Sequence, residues 1–219
     1  MKRTFDTFCS GIGLMMLVPL LALVFLSIRL LDGTPALFRQ ERVGKNGERF
    51  TILKFRTMAL PEVRPSTGLT VGNDLRITNL GRWLRKLKID ELPQLWNVLR
   101  GEMSLVGPRP EIPKYADHYP QDLSKVLDYR PGITDPASLH FRNESELLNG
   151  HADPERFYVE KLLPAKLRIS LSYAERATVW TDIGVVIQSV ACFAPCAFAL
   201  LPPSATTRTA ALSPASREG

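Results

Sequence analysis

Lys88-Ile89-Asp90-Glu91-Leu92-Pro93-Gln94-Leu95-Trp96-Asn97-Val98-Leu99 sets two adjacent carboxylates in front of an amphipathic run. Leu92, Leu95, Trp96 and Leu99 fall at i, i+3, i+4 and i+7, the apolar stripe of a helix. Pro93 fits only the first turn of such a helix, where its missing N–H costs nothing. The spacing therefore predicts a helix with Asp90 as N-cap, Glu91 in the first turn and Arg100-Gly101 as the stop. A helix N-terminus favours negative charge, so Asp90 is expected to be ionised with its pKa held down. The same end attracts phosphate, and a carboxylate there has the means to attack a phosphoryl group. Taken by itself the pair reads as an ordinary helix cap, and its surroundings change that reading.

Those surroundings are basic. Before the dyad, Arg76 to Lys88 carries Ile77, Leu80, Trp83, Leu84 and Leu87 at helical spacing, with Arg82, Arg85, Lys86 and Lys88 on or near the opposite face. A basic amphipathic helix suits a membrane surface and delivers cations beside Asp90. Further back, Leu37 to Val43 and Arg49 to Phe55 flank Gly44-Lys45-Asn46-Gly47 and read as a short β-hairpin. It runs into Lys54-Phe55-Arg56-Thr57-Met58, two cations able to clamp a phosphate. After the dyad, Pro108-Arg109-Pro110 holds Arg109 on a stiff turn that suits a fixed anion. Each basic group, taken singly, also reads as solvated surface.

At the start of the chain, Lys2 and Arg3 precede an uncharged stretch from Thr7 to Ile28, long enough for a bilayer core of about 20 residues. No small-residue cleavage site follows, so it reads as an uncleaved membrane helix rather than a signal peptide. Pro19 falls near its middle and kinks a helix. Basic residues flank both ends, so charge gives no direction for a crossing. Two geometries stay open: a straight anchor, or a helix that bends at Pro19 and leaves by the face it entered.

Composition bounds the rest. The 219 residues carry a net charge of +6 and a pI of about 9.4, which suits nucleic acid, anionic lipid or a phosphorylated substrate. The aromatic–basic interleaving of nucleic-acid modules is missing. Three cysteines are too few for a disulfide framework and fit a reducing compartment. Three histidines without metal-site spacing argue against structural zinc. Ala59 to Gly72 reads as a mobile loop and Arg130 to Pro136 as a turn-rich one. Helices are expected over Tyr115–Leu127, Phe157–Leu163, Leu167–Ala174 and Ile183–Val190, the last capped by Asp182. The apolar run that follows, interrupted by Pro195, is expected to pack on the domain or the membrane surface, and 202–219 to form a disordered tail.

In order, the proline-broken helix, Phe-Arg-Gln-x-Arg-x-Gly-x-Asn-Gly, Lys-Phe-Arg-Thr-Met, Asp-Glu-Leu-Pro-Gln-Leu-x-Asn-Val-Leu and Met-Ser-Leu-Val-Gly-Pro-Arg-Pro-Glu resemble the bacterial sugar transferases of the monotopic phosphoglycosyl transferase type, in their minimal catalytic form. The likeness runs from about residue 1 to about residue 190. It implies an α+β fold, mostly helical: a re-entrant membrane helix over 1–35, then a catalytic region over 36–201 with a short hairpin and amphipathic helices at the membrane surface. It implies transfer of a sugar 1-phosphate from a UDP-sugar to a polyprenyl phosphate, releasing UMP, on the cytoplasmic face of the bacterial inner membrane. By the resemblance Asp90 is the nucleophile, and Asp90 and Glu91 hold Mg²⁺ or, for Glu91, handle protons. Arg85 binds phosphate, Arg109 lies near the nucleotide, and Lys54, Arg56 and Asp182 join the substrate site. Membrane lipid is a partner, nucleic acid is not, and a homodimer is compatible with this reading. One departure stands out: Val18 precedes Pro19 where many members have serine.

Two other functions compete. An anchored module without enzymatic activity would use the basic helix to grip anionic lipid. A membrane glycosyltransferase would move the sugar alone and release UDP instead of UMP.

Overall fold

The computed structural model describes residues 1–60 and 74–193. Most of the expected mobile loop, the run around Pro195 and the expected tail lie outside them. The uncharged N-terminal run forms one helix, α1 (Lys2–Leu31), with Pro19 inside it. It is long and apolar enough to cross a membrane. Met15, Met16, Val18, Leu23 and Leu26 along its middle are each more than half exposed.

The hairpin forms as its alternation predicts. Strands β1 (Leu37–Val43) and β2 (Arg49–Phe55) pair antiparallel, from Leu37 opposite Phe55 to Val43 opposite Arg49. The basic helix, α2 (Asn79–Lys86), is shorter than its periodicity suggests. Thr78 caps it by accepting a 2.9 Å bond from the Gly81 amide. Gly81 lies so close to Thr57 that an added Cβ would stand 2.2 Å from the Thr57 carbonyl oxygen. No other residue type fits there without moving α2 away from the end of β2.

The segment that governs the sequence reading folds differently from expectation. Lys88 turns left-handed at φ +56°. A 3₁₀ turn over Ile89–Gln94 follows, and only then the α-helix proper, α3 (Leu95–Arg100). Asp90 is therefore not the N-cap of an α-helix. Pro93 lies inside the tight turn, where its missing N–H breaks no longer ladder. The stop is as expected, with Gly101 left-handed at φ +88°.

Strand β3 (Ser104–Val106) lies parallel to β4 (Gly132–Thr134), inside what reads in the sequence as a turn-rich loop. Tyr115–Leu127 is not one helix. It divides into α4 (Pro113–Ala116) and a 3₁₀ turn at Ser124–Asp128, because Pro120 cannot continue a helix. Helices α5 (Pro136–His140) and α6 (Glu144–Asn149) follow. Next, α7 (Pro154–Phe157), a π-turn over Tyr158–Leu162 and α8 (Leu163–Ala174) run into one another without the expected break. The last described helix is α9 (Val179–Phe193). Asp182 does not cap it. Thr178 does, accepting from the Thr181 amide at 3.2 Å, while Asp182 gives its own amide to the Thr178 carbonyl.

Three apolar clusters hold these elements together. Tyr115, Leu123, Val126, Leu148, Tyr158, Leu162, Leu163 and Leu167 form the C-terminal core. Ile52, Val98 and Met103 join β2 to α3. Val24 and Ile28 of α1 join Ala36, Phe55 and Leu84. Polar bonds fix both ends of α1 to the same body. At its start, Arg3 donates to the Val98 and Leu99 carbonyls at 2.5 and 2.9 Å, closing the C-terminus of α3. Asp6 accepts from Ser104 Oγ at 2.8 Å. At its end, Asp32 accepts from Thr78 Oγ1 at 2.8 Å.

Candidate active site

The 3₁₀ turn buries both carboxylates of the dyad, each 8% exposed, and gives them different partners. Glu91 Oε1 accepts from Lys54 Nζ at 2.9 Å and from Arg109 Nη2 at 2.5 Å, and Oε2 accepts from Arg109 Nη1 at 3.4 Å. Burial alone would push the Glu91 carboxyl up. Arg109, Lys54 and Lys88 outweigh it and hold Glu91 well below the usual carboxylate range. Burial in turn pulls the Lys54 ammonium down to about 8, against the opposing pull of Glu91.

Asp90 is the opposite case. Burial, and then the neighbouring Glu91 charge, raise its pKa; Lys54, Lys88 and Arg85 only partly offset them. The expectation of a depressed pKa is therefore reversed, because the carboxyl is buried beside a like charge instead of resting on a helix N-terminus. Asp90 Oδ1 is buried with no hydrogen-bond partner among the described residues, and so is Gln94 Nε2 on the same turn. Buried polar atoms are almost always satisfied. Two of the six such atoms among the described residues fall on this one turn.

Arg85 sits behind this turn. Its Nε donates to Thr57 Oγ1 at 2.8 Å. Its terminal nitrogens make no hydrogen bond to the described residues, and its charge acts on Asp90 and Glu91. The Arg109 turn is fixed from its backbone: the Arg109 amide donates to Asp135 Oδ2 at 3.2 Å. That buried carboxylate also accepts from Ser170 Oγ at 2.7 Å and caps α5 through the Ala137 amide at 3.1 Å.

Of the residues singled out in the sequence, Lys54, Arg85, Asp90, Glu91 and Arg109 form this one cluster. Arg56 turns away from it. Its guanidinium donates to the Asp32, Gly33 and Thr34 carbonyls at 2.6, 2.8 and 3.1 Å, closing the end of α1. Asp182 is fully buried and bonded to Tyr173 Oη at 2.6 Å and to Lys2. Its partners belong to α1 and α8, not to the dyad. Thr57 and Asp135 were not singled out. Thr57 stands inside the Lys54–Met58 motif, and Asp135-Pro136 is the cap-then-proline signature of a helix start.

The donor set suits a hard cation. Two adjacent carboxylates, one with a buried oxygen unpartnered among the described residues, would supply the few protein ligands that Mg²⁺ takes beside phosphates and water. Among the described residues no group of three His, Cys, Asp or Glu side chains offers an all-protein metal site.

The buried carboxylate dyad, with Lys54, Arg85 and Arg109 acting on it, stands on a body that carries a helix long and apolar enough to cross a membrane. The sequence profile of the bacterial sugar transferases matches residues 1–194; the chain belongs to this family and is an enzyme of the sugar-phosphate transferase class. It is 36% identical over 196 residues to a UDP-glucose:undecaprenyl-phosphate glucose-1-phosphate transferase of Caulobacter vibrioides, covering 86% of this chain and 68% of the relative. It is 33% identical over 204 residues to an undecaprenyl-phosphate galactose phosphotransferase of Salmonella typhimurium, covering 86% of this chain and 39% of that one. Against a UDP-N-acetylgalactosamine-undecaprenyl-phosphate N-acetylgalactosaminephosphotransferase of Aeromonas hydrophila the identity is 31%, over 86% of this chain and 42% of the relative. The chain thus spans less than half the length of the last two.

Proposed function

We propose that this enzyme transfers a sugar 1-phosphate from a UDP-sugar to a polyprenyl phosphate, with Asp90 carrying the sugar phosphate between the two. The observation behind this reading is a buried Asp90 oxygen, without a partner among the described residues, close to the charges of Lys54, Lys88 and Arg85. An Asp90 oxygen attacks the sugar-bearing phosphorus. The bond from that phosphorus to the bridging oxygen breaks, and UMP leaves with the electron pair. A phosphate oxygen of the polyprenyl phosphate then attacks the same phosphorus. The aspartyl bond breaks, giving polyprenyl-diphospho-sugar and a free Asp90. Two steps through one carboxylate avoid bringing two bulky anions together at once. Arg85 and Arg109 bind and orient the phosphates, and Lys54 with Arg109 keeps Glu91 ionised. Asp90 and Glu91 would hold Mg²⁺, which neutralises phosphate charge when bound. The product begins a glycoconjugate: exopolysaccharide, O-antigen, capsule or glycoprotein.

The test is the nucleotide product. Membranes carrying the enzyme, given polyprenyl phosphate and a panel of UDP-sugars, are expected to release UMP with one of them and to stop in EDTA. Release of UDP would instead favour the sugar-only glycosyltransferase. Undiminished turnover in EDTA would remove the metal from the proposal.

The seating proposed for this chemistry is the cytoplasmic face of the inner membrane, with α1 entering and leaving by that face. Support comes from the ends of α1, which grip one body through Arg3, Asp6, Asp32 and Arg56. A crossing would part those ends by a hydrocarbon core of about 30 Å. Single cysteines placed before Lys2 and after Leu31 are both expected to resist an impermeant thiol reagent added to intact cells. Labelling of one end alone would show a crossing.

A further inference from the structure

The open cavity between α8 and α9 has a volume of about 440 Å³ and is lined by Arg168, Ile169, Ser172, Tyr173, Arg176 and Thr181. It shares no residue with the dyad cluster. Arg168, Ser172 and Arg176 succeed one another at four-residue spacing, so they lie along one side of α8 and its C-terminal turn. Among the described arginines, only Arg39, Arg168 and Arg176 have side chains without a hydrogen bond, ion pair or ring contact. Two of these three meet in this cavity. Two carboxylates stand near them: exposed Glu175 makes no ion pair with either arginine, and Asp182 is turned to other partners. Asp182 is fully buried behind Tyr173, whose hydroxyl donates to it at 2.6 Å, and it is paired with Lys2. Two free guanidiniums on a wall of this size fit a phosphate-bearing ligand.

The surroundings indicate where that phosphate comes from. Lys2 opens the apolar helix α1, so the Tyr173–Asp182–Lys2 chain joins the cavity wall to the start of the membrane segment. Trp180 beside the cavity is 81% exposed, and Ile187 and Val190 on α9 are 60% and 64% exposed. Spacings of seven and three put these side chains on one helix face. An uncovered tryptophan heading an apolar stripe, next to unpaired arginines, is the pattern of a helix lying at the lipid–water interface.

We infer that the cavity between α8 and α9 binds the phosphate headgroup of an anionic bilayer phospholipid through Arg168 and Arg176. The site would set the body's depth and rotation on the membrane while the dyad does the chemistry. The inference rests on the membrane seating proposed above, although its test needs no bilayer.

Full-length enzyme in neutral detergent would be titrated with dihexanoyl phosphatidylglycerol and the shift in melting temperature followed. Dihexanoyl phosphatidylcholine and inorganic phosphate serve as separate arms. Wild type is expected to be stabilised by the phosphatidylglycerol alone. R168Q/R176Q is expected to weaken that binding on the order of tenfold, as for two cations lost beside an anionic headgroup. R39Q, which removes the third unpaired arginine, is expected to leave it unchanged. R168K/R176K keeps the charge and guards against a folding defect in the glutamine variant; it is expected to retain binding. Equal binding by wild type and R168Q/R176Q overturns the inference. So does stabilisation by inorganic phosphate matching that by the lipid. A fourth arm uses a short-chain polyprenyl phosphate: if R168Q/R176Q loses its response to that probe but keeps its response to phosphatidylglycerol, the inference is overturned and the cavity belongs to the acceptor substrate. Failure in any of these arms leaves the seating of α1, tested by cysteine labelling, untouched.

Discussion

Asp90→Asn is expected to lose turnover by roughly 10⁴-fold or more, the scale of removing a covalent nucleophile, while the protein folds at least as well as wild type. The two halves of this expectation have one cause. Asp90 is buried beside Glu91, and one of its oxygens has no partner among the described residues. Its pKa is raised by burial first and by Glu91 second. A carboxyl whose folded value lies above its unfolded one is disfavoured by folding once ionised. The penalty builds as pH rises above the unfolded value and is complete once pH has passed the raised one. An amide of the same shape removes that penalty together with the reactive oxygen. Turnover should therefore collapse while the melting temperature at pH 7 holds or rises. Trapping provides the second readout. Wild type given donor without acceptor should gain the mass of a sugar phosphate on the peptide containing Asp90, and the asparagine variant should not. Near-normal turnover in Asp90→Asn, or an adduct on another residue, would dismiss the two-step mechanism.

How far the site could be read from the residues depended on the range of the forces that build it. The hairpin was legible because alternation and the Gly44–Gly47 turn are local. The apolar run of α1 was legible for the same reason. The dyad's residues were found, but their electrostatics were inverted. Pro93 and the apolar stripe both point to an α-helix starting near Asp90. What displaces that start is Lys88 in a left-handed conformation, which a lysine does not advertise. The pKa of Asp90 then follows from burial, which a one-dimensional pattern does not contain. Lys54 and Arg56 illustrate the same limit. Two residues apart in a continuing strand they would point to one side. The strand ends at Phe55, so Arg56 is free to turn to the carbonyls at the end of α1. Asp182 looked like a cap because it stands near a helix start; its true partner, Lys2, is at the other end of the chain. Strands β3 and β4 are three residues each, too short for any periodicity.

Arg109→Lys is expected to lower kcat/KM nearly as far as Arg109→Ala, by roughly 10²- to 10³-fold, the scale of losing one preorganised donor to a developing anion. Charge alone is not what the site uses. Arg109 spans both oxygens of Glu91, at 2.5 and 3.4 Å, a fork that an ammonium cannot reproduce. Its turn is stiffened by Pro108 and Pro110, and its amide is held by Asp135. A lysine there would meet Glu91 at one point, if at all, and would leave the second oxygen buried and open. The pH profile separates this from a general loss of fold. Burial pushes the Glu91 carboxyl up, and Arg109 is the largest opposing influence. Without it, Glu91 rises toward the value burial alone would set. If ionised Glu91 is the active form, the acidic limb of kcat/KM must move to higher pH in Arg109→Ala. Stability changes in the same direction. A depressed carboxyl contributes stability present above its unfolded value and lost as pH falls through its folded one. In the alanine variant that contribution shrinks, so acid unfolding should begin at higher pH than in wild type. Arg82→Gln removes an exposed cation of α2 and should move neither profile. Wild-type kcat/KM in Arg109→Lys, with an unmoved acidic limb in Arg109→Ala, would show that the fork on Glu91 plays no part in the reaction.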